Sequence, residues 1–263
     1  AMHGAFPLST KRLIQVTFGA MPEEERNSLY PNLSKYIPNW IINVDPPDHT
    51  RLRKLLLKAF SKKSIEAFRP FVEQRVKILI DKMTQQPELE FNEDIARQLP
   101  GSVILGLLGL SQDNLPRLRN WANSFMEAIG NPFADARTMQ AAEDAMADMN
   151  VLISSEIEKR KASPQDDLLT MLLEAGDHGE HLSNEEILGA MHVLIVAGHD
   201  TTSNSMTLGL AALSKNPQFW DLMYKHPEKA LDSVMELARI SAVSTSQPRF
   251  VIEDFEWHGK KIR

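Results

Sequence analysis

Asp200 and Thr201 stand side by side in the middle of a long apolar segment, within the hexapeptide Ala197-Gly198-His199-Asp200-Thr201-Thr202. A carboxylate beside a hydroxyl in apolar surroundings can pass protons into a dry pocket. A plainer reading is a polar break whose side chains bond back to carbonyls of their own helix, as mid-helix Thr often does. His49 and Arg53 lie four residues apart, the spacing at which two hydrogen-bonding or cationic groups on one helix face can grip a single carboxylate. Equally, His49 fits an exposed first-turn position, and Arg53 a solvated partner of Asp48 or Asp45. Glu236 and Arg239 form an acid–base pair three apart, and Arg249 opens an alternating stretch.

The elements that must position these residues are mostly helical. From Leu182 to Leu213, apolar residues such as Ile187, Met191, Leu194 and Ile195 recur at helical spacing, and Ser183 with Glu186 makes a capping box. Gly198 to Thr202 are weak helix formers in succession, a local violation of the kind that accompanies function. The periodicity predicts helices over Asp48–Phe60, Ser64–Gln85, Asn92–Leu108, Asn114–Ile129, Ala136–Lys161, Asp166–Glu174, Asn184–Ser214, Pro217–His226 and Pro227–Ile240. Turns at Asn131-Pro132, Ser163-Pro164, Gly176-Asp177-His178-Gly179 and Asn216-Pro217 separate them. Extended structure is expected at Arg249–Glu256, a terminal strand with nothing after it to pair with, and at Trp40–Val44. The stripe Met126, Met139, Met146 and Met149 reads as core.

Composition narrows the function classes. The chain has 263 residues, 43% of them hydrophobic, enough for a sizeable core in one large domain or two small ones. Its net charge of -6 and lack of a basic cluster argue against nucleic acid, and no apolar run is long enough for a bilayer, so a cytoplasmic protein without membrane contact is expected. There is no cysteine, which excludes disulfides and thiolate sites. The histidines show no metal spacing.

Four segments together resemble the bacterial cytochrome P-450 family of haem-thiolate monooxygenases: Asp45-Pro46-Pro47-Asp48-His49-Thr50-Arg51-Leu52-Arg53, the hexapeptide, Glu236-Leu237-Ala238-Arg239, and Arg249 with its strand. They follow one another as in that family, so the resemblance covers residues 39–263 of a single, incomplete domain and leaves 1–38 poorly matched. It implies a mainly α fold with a long central oxygen-site helix and a little β near the C-terminus. It also implies haem, with His49, Arg53 and Arg249 on its propionates and Ala197 and Gly198 giving room on the distal face. Asp200 would relay protons, Thr201 would hydrogen-bond the distal oxygen, and Glu236–Arg239 would be a structural ion pair. His199 occupies the family's variable position and reads as a lining or packing residue.

The reaction implied is insertion of one oxygen atom of dioxygen into an apolar small molecule, with electrons from a ferredoxin or flavodoxin. One departure is plain: the family's axial ligand is a Cys, and this sequence has none. The expectation is therefore a piece of such a monooxygenase, inactive and without stably bound haem on its own, its open core closed by a second copy. The alternative is a haem-free relative acting as a binding or activating partner, for example of a glycosyltransferase.

Overall fold

The structure is a computed structural model, and it describes residues 7–11, 14–129, 131, 133–177, 179–244 and 248–263. Pro132 and His178, within two of the expected turns, lie outside the described residues. The chain is mainly helical, as the periodicity implies. A short strand β1 (Leu8–Ser9) precedes three short helices, α1 (Ile14–Phe18), α2 (Glu23–Leu29) and α3 (Pro31–Tyr36). Next come α4 (Asp48–Ala59), α5 (Lys62–Gln85), α6 (Gln98–Leu107), α7 (Leu115–Ala128), α8 (Ala136–Ala162) and α9 (Leu168–Glu174). A small hairpin, β2 (Gly176–Asp177) and β3 (Glu180–His181), leads into α10 (Asn184–Ser214). After it follow α11 (Pro217–Lys225), α12 (Ala230–Ile240) and strands β4 (Phe250–Val251), β5 (Phe255–Trp257) and β6 (Lys260–Ile262).

The long helix α10 is the axis of the fold. Its capping box is formed on both sides, Ser183 Oγ accepting from the Glu186 amide at 3.2 Å and Glu186 Oε2 from the Ser183 amide at 2.9 Å. The same Glu186 carboxylate pairs with Arg51, which ties the start of α10 to α4. One side of α10 packs on α6, α7 and α8. Trp121, Phe125, Met146, Met149, Ile153 and Ile195 are fully enclosed in this layer. Gly198 lets α6 come close: a Cβ there would sit 3.0 Å from Ile104 Cδ1.

Several expectations need correction. Trp40–Val44 is not extended: a 3-10 turn over Ile37–Asn39 runs into a bend closed by Asn43 Nδ2–H donating to the Ile37 carbonyl at 2.8 Å. Its apolar residues are a buried anchor, with Trp40 only 2% exposed, and a short apolar run carries no period to tell the two cases apart. Asn92–Leu108 is not one α-helix, because residues 92–96 wind as a π-turn, the Arg97 amide reaching the Asn92 carbonyl at 2.8 Å. Met126 is 52% exposed, whereas Met139, Met146 and Met149 are core as read.

The terminal strand is broken and paired, against the expectation of a lone strand. β4 lies antiparallel to β1, with Leu8 opposite Val251 and Ser9 opposite Phe250. β5 and β6 form a hairpin through His258 and Gly259, whose φ values of 50° and 72° suit a tight primed turn. The residues of the poorly matched start thus complete a sheet that the far end could not make alone.

Buried polar groups pin the outer helices. Glu143 on α8 is 5% exposed and accepts from the Asn32 amide, the Asn32 side chain and the Leu33 amide at 2.9, 2.6 and 2.9 Å. It therefore caps α3 from another helix, where Tyr30 supplies no side-chain cap. Asn150 Nδ2 donates on to Asn32 Oδ1 at 3.2 Å, and Asn150 Oδ1 accepts from His192 Nε2 of α10 at 2.8 Å. Helices α3, α8 and α10 are thus joined by one polar chain.

Candidate functional site

The hexapeptide is divided by the helix it lies on. At 3.6 residues per turn, Ala197 and Thr201 share a face, and both are exposed, whereas His199 and Ser203 point inward and are buried. Three hydroxyls in this stretch bond back along the helix: Thr201 to the Ala197 carbonyl at 2.5 Å, Ser203 to His199 at 2.8 Å and Thr207 to Ser203 at 3.0 Å. That is the plainer behaviour anticipated for Thr201, and it accounts for how weak helix formers are tolerated here. It also has a chemical consequence. A hydroxyl whose proton is spent on a carbonyl offers its remaining lone pairs, so Thr201 presents an acceptor at the exposed face.

Asp200 sits between the two faces. Its side chain is 13% exposed, and Oδ1 lies 2.7 Å from His199 Nδ1. His199 is fully buried, and its Nε2 lies 3.1 Å from the Arg97 carbonyl, where the π-turn joins α6. Asp200 also borders a polar, solvent-open cavity of about 250 Å³, shared with Asn92, Arg97, Asn123, Met126 and Ser203. Arg97 is held there by Glu93 at 3.1 Å and by Asn123. Burial pushes the Glu93 carboxyl up, but Arg119 and Arg97 beside it hold it below the ordinary carboxylate value.

The second cluster gathers at the proline turn. Asp45 accepts from the Ser9 hydroxyl and from the amide and hydroxyl of Thr10, both at 3.0 Å. Burial raises its carboxyl, and these bonds more than offset that, leaving it below its usual value. Residues 8–10 therefore bridge the turn to the Arg249 strand: they hold Asp45, four positions before His49, and they pair with β4, which Arg249 precedes. His49 is half-buried at the first turn of α4, and Arg53 is exposed one turn further. Arg249 is exposed, with Nη1 donating to the Pro248 carbonyl at 2.7 Å. Asp45→Ala should cost roughly 1.5–3 kcal/mol, as loss of bonds to a charged acceptor does. Faster amide exchange at Thr10, Phe250 and Val251 is the check, and unchanged protection there would show that something else holds β1.

Glu236 and Arg239 form a bidentate pair at 2.6 and 2.7 Å, with side chains 58% and 70% exposed. In this chain they are an exposed ion pair on α12. Among the described residues no cluster of His, Cys, Asp or Glu could hold a metal ion, and no helix is long and apolar enough to cross a membrane.

A family model described as Cytochrome P450 matches residues 12–241. The chain belongs to the cytochrome P450 family. Among curated relatives, it is 34% identical over 226 residues to Cytochrome P450 CYP107DY1 of Priestia megaterium, covering 86% of this chain and 54% of that one. It is 32% identical over 226 residues to the Steroid C26-monooxygenase of Mycolicibacterium smegmatis, covering 85% and 51%. The crystal structure of the cytochrome P450 P450BioI, solved with an acyl carrier protein bearing hexadec-9Z-enoic acid, superposes with a TM-score of 0.85 at 26% identity, over 98% of this chain and 63% of that one. The Bacillus subtilis polyketide synthase cytochrome P450 PksS superposes with a TM-score of 0.80 at 28% identity, over 87% and 58%. The chain thus spans about half the length of the curated cytochrome P450 relatives cited. The P450 match takes in residues 12–38, which the motifs did not reach, and stops before Arg249.

Haem is the cofactor of the family. Sequence reasoning missed Asp45 as an anchor, because its partners lie 35 and 36 positions away. It read His199 as a lining or packing residue and gave it no partner; the signal was there in its position next to an acid.

Proposed function

We propose that this chain forms the distal half of a haem monooxygenase site acting on an apolar small molecule, with ferredoxin or flavodoxin as electron donor to the complete domain. The observation that carries this reading is the division of the hexapeptide. Ala197 and Thr201 occupy an exposed face of a helix whose opposite face, with Ile195, His199 and Ser203, is buried, and Asp200 joins that face to a polar cavity. A flat apolar group can lie against such a face, with a small side chain beneath it and a hydroxyl acceptor at its edge.

The residues present fit the distal and propionate sides of haem. His49, Arg53 and Arg249 are donors suited to carboxylates, and Asp45 with residues 8–10 brings the proline turn and the Arg249 strand together. No cysteine is available in this sequence for the axial position. When bound, haem supplies the activation of dioxygen. The chain's own part is to hold the propionates, to admit water to the cavity beside Asp200, and to pass a proton from that carboxyl toward the Thr201 hydroxyl.

Absorbance titration of the isolated chain with haemin tests the cofactor reading. Weak, readily reversible binding is expected, as from a site with no axial ligand, and Arg53→Ala or Arg249→Ala should each weaken it several-fold, about 1 kcal/mol for an exposed charge. Binding that is indifferent to both substitutions would remove the propionate assignment, and co-purification of the chain with a glycosyltransferase would favour the haem-free activator reading.

A further inference from the structure

We infer that His199 is the positioning residue for Asp200, and that the two keep one proton in the contact between them; this rests on the relay role proposed above for Asp200. The argument is an account of hydrogens. A backbone carbonyl can only accept, so the 3.1 Å contact between His199 Nε2 and the Arg97 carbonyl requires a proton on Nε2. If that were the ring's only proton, Nδ1 would present a lone pair 2.7 Å from Oδ1 of Asp200. Facing an ionised carboxylate, that contact would be repulsive. A proton must lie within it, either on Nδ1 as an imidazolium facing a carboxylate or on Oδ1 as a carboxylic acid facing a neutral ring. The two arrangements differ by a short proton shift and hold the same number of hydrogens.

The seat enforces this geometry. The imidazole is wholly buried, and its Cδ2 edge lies against Gly101 of α6, where a Cβ would come within 3.3 Å of it. On the remaining sides the charged groups are those of the cavity wall. Arg97 is paired with Glu93 at the π-turn, Arg119 on α7 shares that carboxylate, and Glu127 on α7 borders the cavity. None of these is bonded to the ring, and the Arg97 carbonyl cannot return a proton. Exchange with solvent therefore runs through Asp200, which is the member of the pair that borders the cavity.

The consequence for the relay is mechanical. When the pair gives up its shared proton, its charge falls by one and two sets of lone pairs face each other at 2.7 Å. The carboxyl must then turn away from the ring, and a water in the cavity restores the proton. The transfer involves a proton alone, with no change of electrons. His199 thus acts as a latch that holds Asp200 in place while it is loaded.

Proton and nitrogen spectra of the 15N-labelled chain in neutral buffer test this without haem. Two exchange-protected protons are expected at His199: one on Nε2, and a far-downfield one in the Nδ1–Oδ1 contact. His199→Gln assigns both signals by their loss. Asp200→Asn should remove the downfield proton and leave the Nε2 proton. A single ring proton in the parent chain would overturn the inference, as would a downfield proton that survives Asp200→Asn. If a variant fails to fold, the parent spectrum alone still decides between one proton and two. Failure of the haemin titration would retract the haem reading and leave this spectrum unaffected, so the two outcomes are separable.

Discussion

Replacing Arg160 by methionine is expected to destabilise the chain by roughly 3–5 kcal/mol, the scale on which one partner of a buried ion pair is lost. The Arg160 side chain is 3% exposed and satisfies several acceptors at once. Nε donates to Asp167 Oδ2 at 2.8 Å, Nη1 to Glu156, and Nη2 to the Gly109 carbonyl at 2.6 Å. Methionine fills much of the volume but leaves the Asp167 carboxylate enclosed without a cation, while Glu156 keeps only Lys159, at 2.7 Å. Asp167 is also the N-cap of α9, accepting from the Thr170 amide at 2.8 Å, so the damage should spread into that helix. The cluster is closely packed: Gly109 has φ of +68°, and a Cβ there would fall 2.0 Å from Asp167 Oδ2. Urea unfolding followed by circular dichroism gives the number. A loss below about 1 kcal/mol would place this cluster with ordinary surface ion pairs instead. Since α9 packs on α4, the variant should also loosen the helix that carries His49 and Arg53.

Acid should begin to destabilise the chain below about pH 6.5, before its carboxylates titrate, and His192 is the reason. Burial pushes its imidazole down from 6.5 to about 3. Nε2 donates to Asn150, while Nδ1 is enclosed without a partner against the rings of Tyr36 and Trp40. Because the folded value lies below the unfolded one, the unfolded chain binds the extra proton. The contribution is complete above about pH 6.5 and lost as pH falls toward 3, reaching on the order of 4 kcal/mol. His192→Gln removes the titration while keeping a donor for Asn150 Oδ1. Its stability should change less between pH 7 and 4 than that of the parent chain, and parallel curves for the two would exclude His192 as the acid-labile group.

The parts of this fold that are legible in sequence are those with local physics behind them. The capping box of Ser183 and Glu186, the apolar period of α10, and the spacings of His49 with Arg53 and Glu236 with Arg239 are all written within a few residues. What could not be read depends on groups far apart in the chain. Nothing near Asp45 announces Ser9 and Thr10, and nothing near Pro31 announces a cap from Glu143. The break of Arg249–Glu256 into two strands follows from which partner each piece finds. His199 is the instructive case: its type and neighbours were in view, but the Arg97 carbonyl that fixes its proton comes from a turn 102 positions earlier.

The pairing of Leu8–Ser9 with Phe250–Val251 also bears on how the chain reaches its final shape. It closes a loop nearly as long as the chain itself, for the return of a two-residue ladder and the Asp45 anchor. Loop-closure entropy makes such a contact late, and topologies weighted toward distant pairings fold slowly. The helical layers around α10 can assemble from near neighbours while this ladder is still open. Arg249, which directly precedes β4, would then settle only in the last step of folding, after the Thr201 face of α10 has been built.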